Sequence, residues 1–280
     1  MRFLRGYTTF VFLFLYAPLA VVVLFSFSAG HSASDFHGFS LQWYATAAGN
    51  RLVREALVHS LIIAGSSSGI ATLFGTAAAL VLPRITGPFR ALFDALTYIA
   101  IMVPGIVIGI ATLIALVTAF EVLNPLLAAL WPGDPASPPQ LHMGFGSVIL
   151  AHALFAMALV ILLVRARLLG MDRSLLEASS DLYATPWGTF RQVTLPMILP
   201  AVVAGFLLSF TFSLDDYVVA SFVAGPTVTL PIYIFASVRR GVTPEINAIG
   251  SAVLVVSLLL LFGSQLLLRR GAPRGGRSAA

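Results

Sequence analysis

The chain has 280 residues, of which 59% are apolar and only 10% are charged, and its mean hydropathy is +0.97. A soluble domain carries about 25% charged residues, so the composition excludes an ordinary soluble globule and predicts a polytopic membrane protein. The chain has no cysteine, which excludes disulfides and thiol-based metal sites. All 16 basic residues are arginine, so no lysine exists for a Walker A site and we expect no ATP hydrolysis by this chain itself.

Long stretches without Asp, Glu or Arg mark the candidate membrane helices, because a bilayer core needs about 20 apolar residues per helix. Seven such stretches occur, at 6–30, 56–83, 95–120, 135–164, 192–214, 217–238 and 246–268. We predict six membrane helices, at about 8–27, 57–82, 92–118, 146–168, 197–214 and 247–268. The stretch 217–238 contains Gly225-Pro226 and Leu230-Pro231, which interrupt a helix. We predict that it forms an external, partly re-entrant element.

The distribution of arginine predicts the orientation. With six spans and the N-terminus inside, twelve arginines fall on cytoplasmic segments and four on external ones, as the positive-inside rule requires. A seventh span at 217–238 would weaken the ratio to ten against six. We therefore predict that both termini are cytoplasmic. Because the arginines flank apolar runs, we assign the basic pI to contact with membrane lipid and expect no nucleic-acid partner.

Three irregular features are predicted between and after these helices. Pro104 and Gly105 should kink the third helix. The external loop 121–141 holds five prolines and should not be regular. The tail 269–280 is rich in Arg, Gly and Ser and is expected to be disordered.

The internal segment 169–195 is much longer than a plain loop of about 4–6 residues. Ser174 and Glu177 have the spacing of a capping box, which starts a helix. Thr185-Pro186 has the pattern of an N-cap followed by proline, which starts a second helix. The pattern predicts two short helices that meet at a corner, here called the elbow.

The first helix of the elbow has an apolar face. Its members are Leu175, Leu176, Ala178 and Leu182. An exposed apolar face needs a cover, which is either the chain's own helices or a partner protein. The spacing alone does not choose between the two.

The elbow resembles the EAA motif of the permeases of ABC importers, in which Glu-Ala-Ala is followed by Gly and then by an apolar residue, Leu and Pro. The matching residues are Glu177, Ala178, Asp181, Ala184, Phe190, Val193, Leu195 and Pro196. Ser179 stands at the position of the second Ala, and Tyr183 stands where Gly is usual and a tight turn is expected. The resemblance extends over nearly the whole chain. It is most specific for the polyamine branch, and within it for the second permease subunit, at 213–226, 230–233 and 238–248.

The resemblance implies an all-α membrane protein with six transmembrane helices and the type I ABC importer permease (MetI-like) fold. It divides the chain into a first helix with an external segment at 1–55, a permease core at 56–268 and the tail 269–280. It implies a bacterial inner-membrane complex with a second permease subunit, as a heterodimer, two ATPase subunits and an external solute-binding protein. ATP and Mg²⁺ would bind to the ATPase subunits, and this chain would hold no cofactor. The elbow would lie in a groove of the ATPase, and the complex would import putrescine or spermidine.

Two adjacent carboxylates, Asp215 and Asp216, end the fifth predicted helix on its external side. Acidic groups there face the unfavourable end of the helix dipole and repel each other. Ionisable residues at membrane depth are functional candidates, so we expect this pair in the path or gate of a cationic solute. The alternatives are a solvated helix end or an ion pair with Arg239 or Arg240. Glu245 is a weaker candidate, because it also fits an ordinary helix start.

The remaining polar residues give weaker indications. His152 lies within the fourth predicted helix and could line the pathway, but a lone histidine in a membrane helix is more often a hydrogen-bonded contact between helices. Asp94 is expected to have a structural role near a helix start. The other histidines have no metal-ligand spacing, so no metal site is predicted.

Three other functions compete with a polyamine permease. The first is an ABC permease for another small solute, such as an amino-acid derivative, a phosphonate, thiamine or ferric iron. The second is an ion-driven secondary transporter, which needs no ATPase. The third is a membrane-embedded enzyme, which is disfavoured because the sequence offers no convincing catalytic constellation.

Overall fold

The computed structural model describes residues 2–30, 36–134, 137–172 and 174–271, with side chains described between 3 and 268. Within these ranges the regular structure is helical. The helices are α1 (Arg2–Phe25), α2 (Gln42–Gly49), α3 (Arg51–Val81), α4 (Pro88–Met102), α5 (Gly105–Leu130), α6 (Phe145–Leu169), α7 (Ser174–Asp181), α8 (Pro186–Thr189), α9 (Leu195–Asp215), α10 (Val218–Val223), α11 (Leu230–Arg240) and α12 (Pro244–Gly271). A 3₁₀ turn at Leu82–Arg84 follows α3, and a π-helical segment at Phe190–Thr194 joins α8 to α9.

Six helical stretches in the described ranges are long and apolar enough to cross a membrane. They are Phe3–Phe25, Arg51–Arg84, Gly105–Leu130, Phe145–Leu169, Pro186–Asp215 and Pro244–Leu268. The predicted all-α fold with six spans is therefore confirmed. The doubtful stretch 217–238 is interrupted as predicted, because α10 has only six residues and α11 only 11.

The third predicted helix is two helices. Val103 and Pro104 are both extended, with ψ of 131° and 138°, so α4 ends at Met102 and α5 begins at Gly105. The predicted kink at Pro104 is thus a complete break. The prediction of an irregular loop from residue 121 is wrong, because α5 continues to Leu130 with Pro125 inside it. A long apolar helix tolerates the hydrogen bond that one proline removes.

Two other boundaries differ from the prediction. The second span begins at Arg51 instead of residue 57, and Arg51 and Glu55 form an i,i+4 pair at 2.6 Å in the additional turns. At the other end of the chain, α12 reaches Gly271. Residues 272–280, most of the tail for which disorder is predicted, lie outside the described residues.

The chain forms two compact units. The first comprises Met1–His59 and Val228–Leu258, and the second comprises Ser60–Thr227 and Leu259–Ala280. The core of the first unit contains Ala47, Val53, Ala56, Leu230 and Ile249. The core of the second contains Ala71, Ala79, Ala156, Val160, Val164 and Ile198. Three of the six residues of the second core are alanine, which lets helix backbones approach closely.

Helix α6 lies at the centre of the second unit and packs against α9, α10 and α4. Near its C-terminal end, Arg165 donates from its two terminal nitrogens, Nη1 and Nη2, to the two carboxylate oxygens of Asp94 on α4. The Nε of Arg167 donates to the backbone carbonyl of Met197 on α9 at 2.9 Å. These contacts give Asp94 the structural role predicted for it, although the partner is an arginine rather than a helix dipole. They also fix the base of α9, from which the elbow extends.

Candidate functional site

The first arm of the elbow, α7, begins at Ser174 as predicted, but its cap is different. The backbone N–H of Ser174 donates to Oδ1 of Asp172 at 2.9 Å. This hydrogen bond lowers the pKa of the Asp172 carboxyl, because it favours the charged form. The acceptor at the helix start is therefore Asp172, and the predicted capping box of Ser174 with Glu177 is wrong in that respect. Glu177 lies exposed in the first turn.

Tyr183 forms the corner of the elbow. Its φ of 56° is in the left-handed region, the conformation that favours glycine. The N–H of Tyr183 donates to the carbonyl of Ser180 at 2.9 Å, and the N–H of Ala184 donates to that of Ser179 at 3.1 Å. These two bonds define a Schellman motif, the usual end of a helix at glycine. The tight turn expected at this position is therefore present, and the tyrosine backbone is strained to make it.

The second arm begins as predicted and ends differently. Thr185 caps α8, because its hydroxyl accepts from the N–H of Gly188 at 3.1 Å. The predicted short second helix, α8, is instead the first turn of one continuous helix, the membrane span Pro186–Asp215. The π-helical segment in this helix precedes Leu195 and Pro196. We attribute its widening to Pro196, whose ring lacks an N–H and clashes with the carbonyl four residues earlier.

The inner side of the corner is polar and the outer side is apolar. Ser179 is buried, and its hydroxyl lies 2.8 Å from that of Thr189 on the second arm. The other predicted elbow residues Glu177, Ala178, Asp181, Tyr183, Ala184 and Pro196 are exposed, and Leu195 is half-buried.

The apolar face of the elbow is uncovered by the described part of the chain. Leu182 is 81% exposed, Tyr183 is 95% exposed and Trp187 is 68% exposed. Leu175 and Leu176, also predicted for this face, are exposed as well. Of the two possibilities that the sequence left open, packing on the chain's own helices does not occur in the structure. The elbow instead presents a large aromatic and aliphatic surface to its surroundings.

The two adjacent carboxylates at the end of α9 differ in their environment. Asp215 is the last helical residue and is exposed. Asp216 is extended, with ψ of 119°, and turns its side chain inward, where Oδ2 accepts from the backbone N–H of Ala220 at 2.9 Å. The backbone change at Asp216 therefore separates two residues that are equivalent in the sequence.

Asp216 joins a buried polar cluster. Oδ2 of Asp216 lies 3.2 Å from Nε2 of His152, which has no hydrogen-bond partner among the described residues. Nδ1 of His152 is 2.7 Å from the hydroxyl of Ser213 on α9, and that hydroxyl is 3.0 Å from the hydroxyl of Ser67 on α3. The contact between helices predicted for His152 is confirmed, and it includes a carboxylate.

This cluster borders a cavity of about 190 Å³ in the second unit. Its walls are mostly apolar and include Phe155 and Phe212, whose rings meet edge to face at 6.4 Å. The ionisable groups among its described lining residues are His152 and Asp216. An apolar cavity with a few converging polar groups is the usual form of a small-ligand site, and this one has an acceptor for a cation.

Glu245, the third acidic candidate, belongs to the first unit. It lies in the first turn of α12, and its Oε1 accepts from Nδ2 of Asn50 at 3.0 Å. The same amide nitrogen lies 3.4 Å from the hydroxyl of Tyr233. This network joins α11 and α12 to the start of α3, so the contacts of Glu245 are those of a structural residue.

Sequence reasoning did not identify Ser67 and Ser213 as partners of His152. Ser67 lies in a run of three serines on an apolar helix, which is a weak signal for a polar seam. Ser213 belongs to the stretch 213–226 that carries the family resemblance, but nothing local indicates that its hydroxyl faces His152, 61 residues away in sequence.

Residues 71–274 match the family described as "Binding-protein-dependent transport system inner membrane component". The chain is 35% identical over 270 residues to the spermidine/putrescine transport system permease protein PotC of Escherichia coli (strain K12), covering 96% of this chain and 95% of the relative. It is 39% identical over 246 residues to the putrescine transport system permease protein PotI of the same organism, covering 87% and 82%. It is 36% identical to PotC of Haemophilus influenzae, covering 96% and 97%.

Solved structures support the fold. The chain superimposes on a chain of a bacterial ABC transporter involved in the import of the acidic polysaccharide alginate with a TM-score of 0.70 at 16% identity, covering 95% of this chain and 94% of that one. It superimposes on a chain of the MetNI methionine ABC transporter with a TM-score of 0.59 at 17% identity, covering 79% and 96%. With a family match over most of its length and near-complete relatives above 30% identity, the chain belongs to the inner-membrane components of binding-protein-dependent transport systems.

Proposed function

We propose that the chain is the second permease subunit of an ABC importer for putrescine or spermidine in the inner membrane of a bacterium. Its relatives named for these two solutes match it over nearly its whole length. The structural observation that carries the proposal is the carboxylate of Asp216 on an apolar cavity at the end of α9. Polyamines are cationic because their amines have pKa values like that of lysine, about 10.4.

Asp215 and Asp216 form the proposed path or gate for these cations, whereas the contacts of Glu245 are those of a structural residue. Moving an ammonium group through a low-dielectric passage without a counter-charge costs several kcal/mol. Asp216 supplies a counter-charge in the cavity, and the exposed Asp215 adds negative charge next to it. Because the solute-binding protein selects the solute, the carboxylates act as a transient relay rather than as a tight binding site.

The elbow is the proposed docking element for an ATPase subunit. Its uncovered apolar face, described above, requires a protein partner. Glu177 and Asp181 add exposed negative charge beside that face. ATP and Mg²⁺ bind to the ATPase subunits, since this chain contains no lysine for a phosphate-binding loop. Closure of the ATPase pair pushes the elbow, and the continuous helix Pro186–Asp215 carries the motion to Asp216.

A second permease subunit completes the membrane pathway as a heterodimer, and an external solute-binding protein delivers the polyamine. Both termini are placed in the cytoplasm on the arginine distribution. Reporter fusions after Arg240 and after Leu268 test this orientation, and we expect the first outside and the second inside. The reverse result would put the elbow on the wrong side of the membrane for an ATPase.

Membership of a binding-protein-dependent family removes the ion-driven transporter and the membrane enzyme as alternatives. Phosphonate and other anionic solutes are disfavoured because no arginine is among the described residues that line the cavity. Thiamine and ferric iron are cationic, so a transport measurement must separate them from the polyamines.

Transport by the reconstituted complex tests the proposal. The chain is co-expressed with a partner permease, an ATPase and a solute-binding protein from the same genome, and placed in proteoliposomes with internal ATP. We expect uptake of labelled putrescine or spermidine, competition by excess unlabelled polyamine, and no competition by phosphonate, thiamine or ferric citrate. An assembled complex that hydrolyses ATP but takes up neither polyamine contradicts the proposed solute.

A further inference from the structure

His152 is a buried imidazole at membrane depth whose two nitrogens have different surroundings. Its side chain is 4% exposed and that of Asp216 is 25% exposed. Nδ1 lies 2.7 Å from the hydroxyl of Ser213, whereas Nε2 faces Oδ2 of Asp216 at 3.2 Å and has no hydrogen-bond partner among the described residues. A buried polar atom that has no hydrogen bond and is aimed at a charged group needs an explanation.

The serine hydroxyls and the missing hydrogen bond at Nε2 together favour a hydrogen on Nδ1. The hydroxyl of Ser67 donates to the carbonyl of Ala64 at 3.3 Å. The contacts of Ser67 with Ser213 and of Ser213 with Nδ1 fit either direction, but a hydrogen on Nε2 would be a buried donor without a hydrogen bond. In the arrangement that pairs every donor, Ser213 donates to Ser67 and His152 donates from Nδ1 to Ser213. Every member of this chain is satisfied when Nδ1 carries a hydrogen. Protonation can therefore change at Nε2 without disturbing the chain.

With Nδ1 protonated, the contact between Nε2 and Asp216 requires a positive charge. A neutral imidazole would present the lone pair of Nε2 to a carboxylate oxygen 3.2 Å away, and two acceptors would face each other. A proton on Nε2 removes this conflict by making an imidazolium. A cation placed between or beside the two acceptors also removes it.

The other charges near His152 do not supply that cation. Asp215 is negative, exposed and absent from the described cavity lining. Helix α10 and the part of α3 in this unit contain no charged residue. On α4, Asp94 is bound to Arg165 and lies near Arg90. Glu121 on α5 is about 20 Å along that helix from the part that lines the cavity.

We propose that the gap between His152 and Asp216 holds one positive charge at a time, a proton on Nε2 when the site is empty and an ammonium group of the transported amine when it is loaded. On loading, the N–H bond at Nε2 breaks, the electron pair stays on the nitrogen and the proton passes to bulk water. The ammonium group then donates to Asp216 and to the lone pair of Nε2. His152 is thus a positioning residue for transport, and this inference rests on the polyamine function proposed above.

The cavity is suited to one end of a linear amine. The described contacts of Asp216 use Oδ2, so Oδ1 can accept from a ligand. Phe155 and Phe212 lie in the same wall, and aromatic faces attract ammonium groups. The proton on Nε2 competes with the ammonium group for the gap between His152 and Asp216. It leaves when the amine binds and returns when the amine departs. Its return favours release, which a relay needs.

The test is the pH dependence of uptake by the whole complex in proteoliposomes, with labelled putrescine delivered by its binding protein. An imidazole changes charge between about pH 5 and 8. In the wild type, the proton competes with putrescine, so KM for putrescine should rise as the external pH falls. The rise is up to about tenfold per pH unit at the lowest pH values measured. The variant His152→Gln keeps hydrogen-bonding atoms but cannot carry the charge, so its KM should be flat from pH 5.5 to 8 and its kcat should be lower because release slows.

A matched control is His142→Gln, because His142 is exposed and its Nδ1 contacts only the nearby carbonyl of Gln140 among the described residues. It should keep the wild-type pH profile, since both complexes share every other titrating group. A His152→Gln complex with the wild-type slope of KM against pH would overturn the inference. A wild-type complex that never transports putrescine would instead contradict the proposed function.

A direct measurement covers the case in which His152→Gln does not assemble. The wild-type complex with Mg²⁺ and a non-hydrolysable ATP analogue, in weakly buffered detergent solution at pH 6, is mixed with putrescine-loaded binding protein, and a pH dye reports protons. We expect a release of protons, at most one per complex, and none from Asp216→Asn, which lacks the charge that both cations share. No release from the wild type contradicts the exchange.

Discussion

The hydroxyl oxygens of Ser179 and Thr189 lie 2.8 Å apart and join the two arms of the elbow across its corner. Ser179 is the residue that replaces the second alanine of the EAA motif, and it is the buried member of α7. The departure from the motif is therefore matched by a hydroxyl on the opposite arm. In an element that transmits force, a bond between the arms resists opening of the corner.

Ser179→Ala should loosen the elbow by about 1 kcal/mol, the net value of a typical hydrogen bond. We expect faster amide exchange over 179–190 and fewer polyamines imported per ATP hydrolysed. The control is Ser180→Ala, because Ser180 is exposed and bonds only within its own helix, to Leu176. If the bond is the cause, Thr189→Val should add little to Ser179→Ala in a double-mutant cycle, and full additivity would rule it out.

Tyr183→Gly should separate backbone strain from side-chain contact. A left-handed conformation costs a non-glycine residue roughly 1–2 kcal/mol, so the glycine variant should stabilise the corner by up to about 1 kcal/mol after its greater unfolded-state entropy is subtracted. The same change removes a ring that is 95% exposed on the docking face. We therefore expect slower amide exchange at the corner together with weaker retention of the ATPase during purification.

Tyr183→Asn is the matched comparison, since asparagine tolerates the left-handed region and also lacks the ring. Equal loss of ATPase in both variants assigns docking to the ring. Normal ATPase retention and uptake in both would mean that the tyrosine makes no contact with the partner.

The sequence predicts those parts of this fold that depend on local rules. Long uncharged runs locate the six spans, and Thr185 caps α8 because threonine before proline is a strong helix start. The sequence predicts only a kink at Pro104 and an irregular loop from residue 121. The complete break at Pro104 and the extension of α5 through Pro125 depend on how the surrounding helices pack. At the site, the two adjacent aspartates look equivalent in sequence. Only the extended backbone of Asp216 and the distant His152 distinguish them.

Gly75→Ala tests the close approach of α3 and α6. A Cβ at Gly75 would lie 2.9 Å from Cβ of Val160 and 3.1 Å from the carbonyl oxygen of Met157. Neither atom is at the end of a flexible chain, so the helices must separate, at a cost of about 1–3 kcal/mol. The melting temperature of the purified complex should fall.

Gly69→Ala is the control on the same helix, because no atom lies within 4 Å of its added Cβ and alanine favours helix. Equal melting temperatures for the two variants would contradict the packing.

Asp216→Asn and Asp215→Asn should differ in their effect on transport. The asparagine oxygen at position 216 can still accept from Ala220, so the turn is retained while the charge is lost. A cation that crosses the cavity then lacks its counter-charge, a cost of several kcal/mol. Since 1.4 kcal/mol corresponds to a factor of about ten, we expect polyamine uptake to fall at least tenfold with normal assembly.

Asp215 is exposed and is not among the lining residues, so its asparagine variant should lose no more than about threefold through weaker long-range attraction. Uptake rates in proteoliposomes at matched protein content measure both. Equal losses would mean that the inward turn at Asp216 has no role in transport, and normal uptake in the double variant would remove both carboxylates from the path.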